Sequence, residues 1–242
     1  TTRTGLVRQY GEKTAQVIIT ELYNLTKLIE EKKQWSSILF IPDDLEICGK
    51  YGITPVSEVD PWKIKLALID LDKNLQRTGE RIGSVLIAGG EVVVPFHKLP
   101  NPTDDSDEEV PSDNPYGSLD SNYFVTDWPV GRLPGEDGSE VGLLLTQIRN
   151  VQNYHAHDAS AESLFSQILS RVMFWNRPWI KQFSNIGYSA SVWRRSSHAV
   201  FHAIGDAHNL FLSPDPTKAP FKTSKLSTAP LAYFNLHGVE DG

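Results

Sequence analysis

The sequence predicts an α/β fold with a largely parallel sheet flanked by helices. Short apolar runs of strand length alternate along the chain with longer segments in which apolar residues recur every three to four positions. The first pattern is typical of buried strands and the second of amphipathic helices. Strands that alternate with helices favour a parallel sheet, because each helix returns the chain to the same end of the sheet. No segment repeats at a fixed period.

The first eighty residues predict two long helices and one strand. One helix runs from about Glu12 to Lys33, and the other begins at Asp60-Pro61, where Asp caps the helix and Pro occupies its first turn. The apolar run from Ser37 to Ile41 predicts a strand that ends at Pro42. The two helical stripes are Ala15, Ile18, Leu22, Leu25 and Ile29 in the first helix, and Ile64, Leu68, Leu71 and Leu75 in the second.

The middle of the chain predicts two strands separated by a long polar loop. Ser84 to Ala88 is a fully apolar strand that Gly89-Gly90 ends, and Val130-Gly131-Arg132 is the end of a second strand. The residues from Asn101 to Pro115 are rich in acidic side chains and lack a helix or strand pattern. They predict a mobile, solvated loop, with an exposed processing site as the alternative.

The last hundred residues continue the alternation of helices and strands. Two helices come first, one capped by Ser139 that runs to about Tyr154 and one from about Ser160 to Met173. A strand from Ile186 to Ala190 follows, and then a helix capped by Ser196 or Ser197 with Val200, Phe201 and Ile204 directed inward. The last predicted element is a strand from Leu231 to Leu236.

Composition excludes several classes of function. The chain has 242 residues, of which 40% are hydrophobic, so it can bury a core as one domain or two closely packed subdomains. A formal net charge of -7 argues against a general nucleic-acid surface. No apolar run approaches the length of a membrane span, so we expect no membrane partner. A single cysteine excludes an internal disulfide framework and fits a reducing compartment.

A polar pair follows the last apolar run. His237-Gly238 comes directly after the predicted strand Leu231–Leu236, which is interpreted as a buried strand that delivers an imidazole to the edge of a sheet. A catalytic His needs a fixed backbone and an open cleft, and a neighbouring Gly lets a substrate carbonyl approach a backbone N–H. The alternative interpretation is a structural His at a strand end.

Four segments, taken in order, resemble motifs of the gingipain-like members of the caspase–gingipain group of cysteine proteases. The likeness extends over about Ser84 to Gly238, and it is the ordered set that carries it. The segments are Val85–Gly90 with Val94-Pro95, Ser112–Gly117, Val130–Leu133, and the block that ends in His237-Gly238.

The resemblance implies a two-part fold and a Cys-His mechanism. Residues 1–157 would form an N-terminal α/β subdomain, and residues 158–242 the first part of a caspase-like catalytic subdomain. His237 is implied as the general base and acid partner of a Cys nucleophile, and the Gly238 N–H as an oxyanion donor. No cofactor is needed for this chemistry, and the implied substrate is a peptide or protein.

The resemblance also implies a partner. The family's nucleophile follows the His at the end of the next strand, and this chain stops at Gly242. We therefore expect a downstream segment, or a second chain produced by proteolytic processing, to carry the Cys and to supply the strand beside Leu231–Leu236. On its own the chain is expected to be inactive.

The junction after the strand Ile186–Ala190 is implied by the resemblance to line the pocket for the residue before the scissile bond. Arg194 and Arg195 lie there, and a guanidinium pairs in a two-pronged way with a carboxylate. The sequence thus suggests cleavage after an acidic residue, with Trp193 lining the same pocket. The alternatives are two solvated arginines at a helix start and a Trp that fills the core.

Other chemistry-bearing residues are interpreted as structural. Cys48 lies far upstream of His237, where a buried structural Cys is the default. Asp113 and Asp120 are weak calcium candidates in an Asx-rich turn. His198 and His202 are spaced i, i+4, which allows a zinc site, although two surface histidines are the simpler interpretation.

Three hypotheses for function therefore stand. The first is the His-bearing part of a cysteine endopeptidase. The second is a catalytically inactive pseudo-protease that binds peptides or regulates a partner. The third is a zinc hydrolase that uses His198, His202 and a carboxylate. Serine hydrolysis is not supported, because the sequence contains no Gly-x-Ser-x-Gly motif.

Overall fold

The chain divides into two compact units, Thr1–Ala159 and Ser160–Gly242. The computed structural model describes residues 1–33, 35–101, 108–123, 125–156, 185–213, 229 and 231–236. The predicted boundary between residues 157 and 158 and the predicted helix over 160–173 lie outside the described residues and stay predictions.

The first unit combines five helices with two pairs of strands in its described part. The helices are α1 (Arg3–Tyr10), α2 (Glu12–Lys33), α3 (Leu45–Lys50), α4 (Pro61–Gln76) and α5 (Gly142–Ala156), and the strands are β1 (Val85–Ala88), β2 (His97–Pro100), β3 (Glu109–Ser112) and β4 (Val130–Leu133). Strand β1 pairs with β4 in parallel, with Val85 opposite Val130. Strand β2 pairs with β3 in an antiparallel ladder, with His97 opposite Ser112.

The two long helices form for the reasons that the sequence suggests. The α4 carboxylate cap is Asp60, whose Oδ1 accepts a hydrogen bond of 2.9 Å from the Lys63 N–H. The buried core of the unit contains Ala15, Ile18 and Leu22 of the first stripe, the whole stripe of α4, and Ile87 and Ala88 of β1. On α5, the Gln152 side chain donates to the Glu21 carbonyl at 3.0 Å and so ties that helix to α2.

The second unit contains a three-stranded parallel sheet in its described part. The elements are β5 (Ile186–Ala190), α6 (Arg194–Phe201), β6 (Leu210–Ser213) and β7 (Ala232–Asn235), with a short 3-10 turn, Ser191–Trp193, between β5 and α6. The strand order is β6-β5-β7. On one face of the sheet Phe201 is fully buried, and its ring lies 6.0 Å from the ring of Tyr233.

The α/β class and the parallel sheets flanked by helices are confirmed, but the predicted strand Ser37–Ile41 is wrong. This segment has no regular secondary structure. Its apolar side chains are nevertheless used, because Ile38 and Phe40 line a cavity of about 620 Å³ with residues of α2, α4 and β1. A strand needs a paired neighbour, and an apolar run alone does not show whether one is present.

Three other boundaries differ from the prediction. Part of the predicted loop Asn101–Pro115 is the strand β3, because its backbone pairs with β2; residues 102–107 lie outside the described residues. Helix α5 begins at Gly142, so Ser139 is not its cap. Helix α6 begins at Arg194, before the two predicted cap serines, and Val200 is exposed rather than directed inward.

The last strand is less buried than its apolar sequence suggests. Leu231, Phe234 and Leu236 are 42%, 52% and 47% exposed. Tyr233 and Asn235 face α6, whereas Phe234 and Leu236 lie on the opposite face, which the described residues leave open. The prediction of a buried strand is therefore wrong for the second face. None of the described helices combines the length and the apolar composition of a membrane span.

Candidate active site

The carboxyl ends of β5 and β7 meet at one edge of the sheet in the second unit. The two strands are parallel, and Ser189 lies opposite Asn235 in the register. Ala190, the last residue of β5, and Leu236, which follows β7, are therefore at the same level. Clefts for ligands form at the carboxyl edge of parallel sheets, so this edge is the candidate active site.

The predicted pocket residues follow β5 at this edge. Ser191–Trp193 forms one 3-10 turn, and Arg194 and Arg195 open helix α6. Both arginines are exposed, and neither guanidinium has an acidic partner among the described residues. Trp193 is half-buried. The chain thus presents two positive charges where parallel strands end.

His237 and Gly238 lie outside the described residues. Leu236, the residue before His237, is the last described residue of the chain. The assignment of the catalytic His and of the oxyanion donor therefore stays a prediction.

A buried polar network that the sequence analysis missed joins three elements at the same edge. Ser189 on β5 and Ser197 on α6 are both fully buried, and their hydroxyl oxygens are 2.6 Å apart. The Asn235 side-chain amide on β7 donates to the Ser197 Oγ at 2.8 Å. One signal could have indicated the network: Asn235 is the single amide in an otherwise apolar strand run.

Cys48 is unsuited to nucleophilic attack. Its side chain is fully buried, and its thiol donates to the Pro42 carbonyl, with a sulfur-to-oxygen distance of 3.3 Å. Burial raises the pKa of the thiol, and the nearby carboxylates of Asp44 and Asp43 raise it further. Because the thiolate is the reactive form, Cys48 is inert at neutral pH. The prediction that it is structural fits this environment.

Three of the resembling segments meet in one polar cluster in the first unit. The Arg132 guanidinium on β4 forms a bidentate ion pair with Asp113, in which Nε donates to Oδ2 at 2.7 Å and Nη2 donates to Oδ1 at 2.5 Å. Its Nη1 donates to the carbonyls of Gly89 and Val94, each at 2.8 Å. The Phe96 ring lies 4.2 Å from the guanidinium carbon. The cluster joins strand β4, the turn after β1 and the segment after β3.

Glycine is required at the turn of this cluster. Gly89 has a φ of 118°, and a Cβ atom there would lie 2.5 Å from the Val93 Cβ. No other residue fits a turn with this backbone conformation and this close approach. The turn aims the Gly89 carbonyl at Arg132.

The predicted calcium ligands have other partners in the structure. Both oxygens of Asp113 accept from Arg132, and the Asp120 backbone carbonyl accepts from the Lys65 ammonium at 2.8 Å. The same ammonium donates to the Ser118 carbonyl at 2.7 Å, so it supplies a positive charge to this turn. A calcium ion at Asp113 would have to compete with Arg132. The calcium hypothesis stays a prediction.

The positions of the histidines give little support to the zinc alternative. His198 is half-buried in the second half of α6, and His202 is exposed directly after the helix ends. The part of the chain that the structure describes contains no group of three or more His, Cys, Asp or Glu residues that could hold a metal ion. His208, further along, is paired with Asp206 at 2.7 Å.

His97 is a buried imidazole without a hydrogen-bond partner. It is fully buried between the rings of Trp62 and Tyr116, each 4.5 Å away in an edge-on arrangement. Neither ring nitrogen has a partner within the described structure. Burial, and to a lesser extent the charge of Lys65, lower the pKa of His97 to about 4. The side chain is therefore neutral at physiological pH.

This imidazole predicts a specific pH dependence of stability. The pKa is about 4 in the folded state and about 6.5 when unfolded, so the unfolded state binds more protons in between. Stability must then fall as the pH falls from 6.5 to 4. In urea unfolding, we expect wild type to lose about 2–3 kcal/mol more than His97→Phe between pH 7 and pH 4.5.

The exposed His202→Phe serves as the matched control for this experiment, and it is expected to keep the wild-type pH dependence. The three proteins carry the same acidic residues, so the comparison between them isolates the replaced histidine. Equal pH dependence of wild type and His97→Phe would show that the imidazole is not held neutral by burial.

Comparison with known proteins identifies the family. The model of peptidase family C25, the gingipain family, matches residues 50–194, which is more than half of the 242-residue chain. The match includes the Arg132 cluster and ends at Arg194, at the edge where β5 gives way to α6. No curated protein and no solved structure matches the chain. The chain belongs to peptidase family C25, a family of gingipain-like cysteine peptidases.

Proposed function

We propose that this chain is the His-bearing part of a cysteine endopeptidase and that its nucleophilic Cys is supplied by a segment or second chain outside these 242 residues. The family supports the reaction class, and the environment of Cys48 supports a nucleophile carried by another segment or chain. Cys48 is the single cysteine, and it is buried and protonated. We call this chain together with the polypeptide that carries the nucleophile the complete protease.

The proposal rests mainly on one observation: the parallel strands β5 and β7 end at the same edge of the sheet, with Ser189 opposite Asn235. The residue after Leu236 in the sequence is His237, and the residues after Ala190 lead to Arg194. A peptide laid along this carboxyl edge can meet the imidazole and the guanidinium groups together. In the described sheet β7 pairs with β5 on one side and with no strand on the other, and this edge supports a further strand, from a downstream segment or a second chain, beside β7.

The proposed reaction needs no cofactor. His237 takes the proton of the Cys thiol, and the thiolate attacks the carbonyl carbon of the scissile bond. The Gly238 N–H donates to the oxygen that becomes negative in the tetrahedral intermediate. His237 then gives the proton to the leaving amine, and water hydrolyses the resulting thioester.

Two exposed arginines support a preference for an acidic residue before the scissile bond. Arg194 and Arg195 have no acidic partner among the described residues, so their charges are available to a substrate carboxylate. The half-buried Trp193 would form the wall of this pocket.

A peptide library tests the proposal. The complete protease is expected to cleave after Asp or Glu, and iodoacetamide is expected to abolish cleavage because it alkylates the thiolate. Replacing Arg194 or Arg195 by Glu should lower kcat/KM for acidic substrates by roughly 10–100-fold, the value of a charge-assisted hydrogen bond. Arg77→Glu, on the exposed end of α4, is the control for added negative charge and is expected to have little effect.

Cleavage only after Lys or Arg would contradict the pocket assignment but leave the peptidase in place. Cleavage that iodoacetamide does not affect would contradict the cysteine mechanism itself.

A non-catalytic binding module is the second candidate. The observation that favours it is again Cys48, since the chain by itself holds no thiol able to ionise at neutral pH. The two candidates separate in the complete protease: a pseudo-protease binds the acidic peptides of the library but does not hydrolyse them.

A further inference from the structure

The buried network of Ser189, Ser197 and Asn235 lies where strand β7 ends. Asn235 is the last residue of β7, and its side chain is directed toward α6. Tyr233 is directed the same way, because its ring packs near Phe201 of α6. Residues two apart share a face of a strand, so this alternation defines the face of β7 that packs on the helix.

The Ser197 hydroxyl makes two hydrogen bonds inside the protein, where water cannot replace either partner. Ser197 is fully buried, and its hydroxyl meets both the Ser189 hydroxyl at 2.6 Å and the Asn235 amide at 2.8 Å. A buried polar group that loses its partner is costly, so the three side chains hold one another in place. Helix α6, strand β5 and strand β7 are thereby fixed at the candidate active site.

The helix that provides the hydroxyl also provides the arginines of the proposed pocket. Ser197 lies two residues after Arg195 on α6. The strand that provides the amide leads to His237 two residues later, and two residues of extended chain span at most about 7 Å. His237 therefore lies close to Asn235 along the chain, whatever course the two residues between them take.

We propose that Asn235 and Ser197 are positioning residues, whose hydrogen bond fixes the end of the His-bearing strand relative to the substrate-binding helix. This inference rests on the proposed function. Neither side chain needs to touch the substrate, because the network acts by holding the imidazole at the distance and angle that proton transfer requires.

The test uses the complete protease with Asn235→Ala and Ser197→Ala. Each variant is expected to lower kcat by roughly 10–100-fold, since small misplacements of a catalytic group have effects of this size. The KM for an acidic peptide should change by less than about threefold, because the arginines stay on α6. The double variant should be no worse than about twofold below the single ones, because both remove the same bond.

Ser196→Ala is the matched control, since Ser196 is the exposed neighbour of Ser197 on the same helix and its hydroxyl donates to the Trp193 carbonyl. It is expected to keep kcat within about twofold of wild type. Titration of active sites with a thiol-directed peptide inhibitor corrects every kcat for misfolded protein, so a loss of folding does not count as a loss of positioning.

A second readout separates positioning from plain stability. The pH profile of thiol alkylation depends on the distance between the imidazole and the sulfur, and a merely structural bond would not move it. We expect the apparent thiol pKa to rise in Asn235→Ala and Ser197→Ala and to stay unchanged in Ser196→Ala.

Full kcat per titrated site and an unchanged alkylation profile in both variants would overturn the inference. Failure of the proposed function gives a different result, in which His237→Ala itself keeps its activity.

Discussion

Replacing His237 by Ala in the complete protease is expected to lower kcat by at least about a thousandfold. In the proposed mechanism two steps depend on the imidazole, namely removal of the thiol proton and protonation of the leaving amine. Loss of a residue that serves both steps removes most of the catalysis, and the oxyanion donor and binding alone account for what remains. The measurement is kcat for an acidic peptide, referred to the concentration of folded protein.

His202→Ala provides the control for this variant. His202 is exposed on the surface after α6, and it is a ligand only in the zinc hypothesis. The proposal predicts that His202→Ala keeps kcat within about twofold of wild type. A loss of activity in His202→Ala together with retained activity in His237→Ala would contradict the Cys-His mechanism and favour the metal.

Replacing Arg132 by Met is expected to destabilise the folded chain by about 3–5 kcal/mol, the typical cost of removing one partner of a buried ion pair. The Arg132 side chain is 8% exposed and that of Asp113 20% exposed. The change leaves the Asp113 carboxylate without its counter-ion and the Gly89 and Val94 carbonyls without a donor. Total stabilities of proteins are about 5–15 kcal/mol, so this loss is large.

Urea unfolding measures the effect, and Arg77→Met is the control. Arg77 is exposed at the end of α4, and the same substitution there should cost less than about 0.5 kcal/mol. Arg132→Lys should lie between the two, because it keeps the charge but loses the two-pronged geometry. A cost below about 1 kcal/mol for Arg132→Met would show that the cluster does not hold the first unit together.

The sequence predicted correctly those elements that are determined by residues close together in the chain. Helix α4 begins where the Asp60-Pro61 pair places it, because the cap and the fixed φ act on the first turn alone. Strands β1 and β5 follow from apolar runs that end at a turn. The failed strand Ser37–Ile41 shows the limit, since pairing depends on a neighbour that lies far along the chain.

The site depends on contacts between distant residues, which periodicity does not reveal. Arg132 and Gly89 are 43 residues apart in the sequence, and Asn235 and Ser197 are 38 apart. The first contact could be suspected because both residues lie in segments that resemble one family. The second has no such signal beyond one amide in an apolar strand. The start of α6 was misplaced for a related reason, because Ser197 bonds across to β5 and β7 rather than capping its own helix.

In the proposed mechanism an imidazole at the β5–β7 edge activates a thiol carried by another segment or chain. The most direct measurement is the pH dependence of iodoacetamide alkylation of the complete protease and of its His237→Ala variant, with the modified cysteine identified by mass spectrometry. The proposed mechanism predicts a reactive cysteine other than Cys48 with an apparent pKa well below the ordinary value of about 8.5, which returns toward that value in the variant. An identical alkylation profile in the two proteins would contradict it.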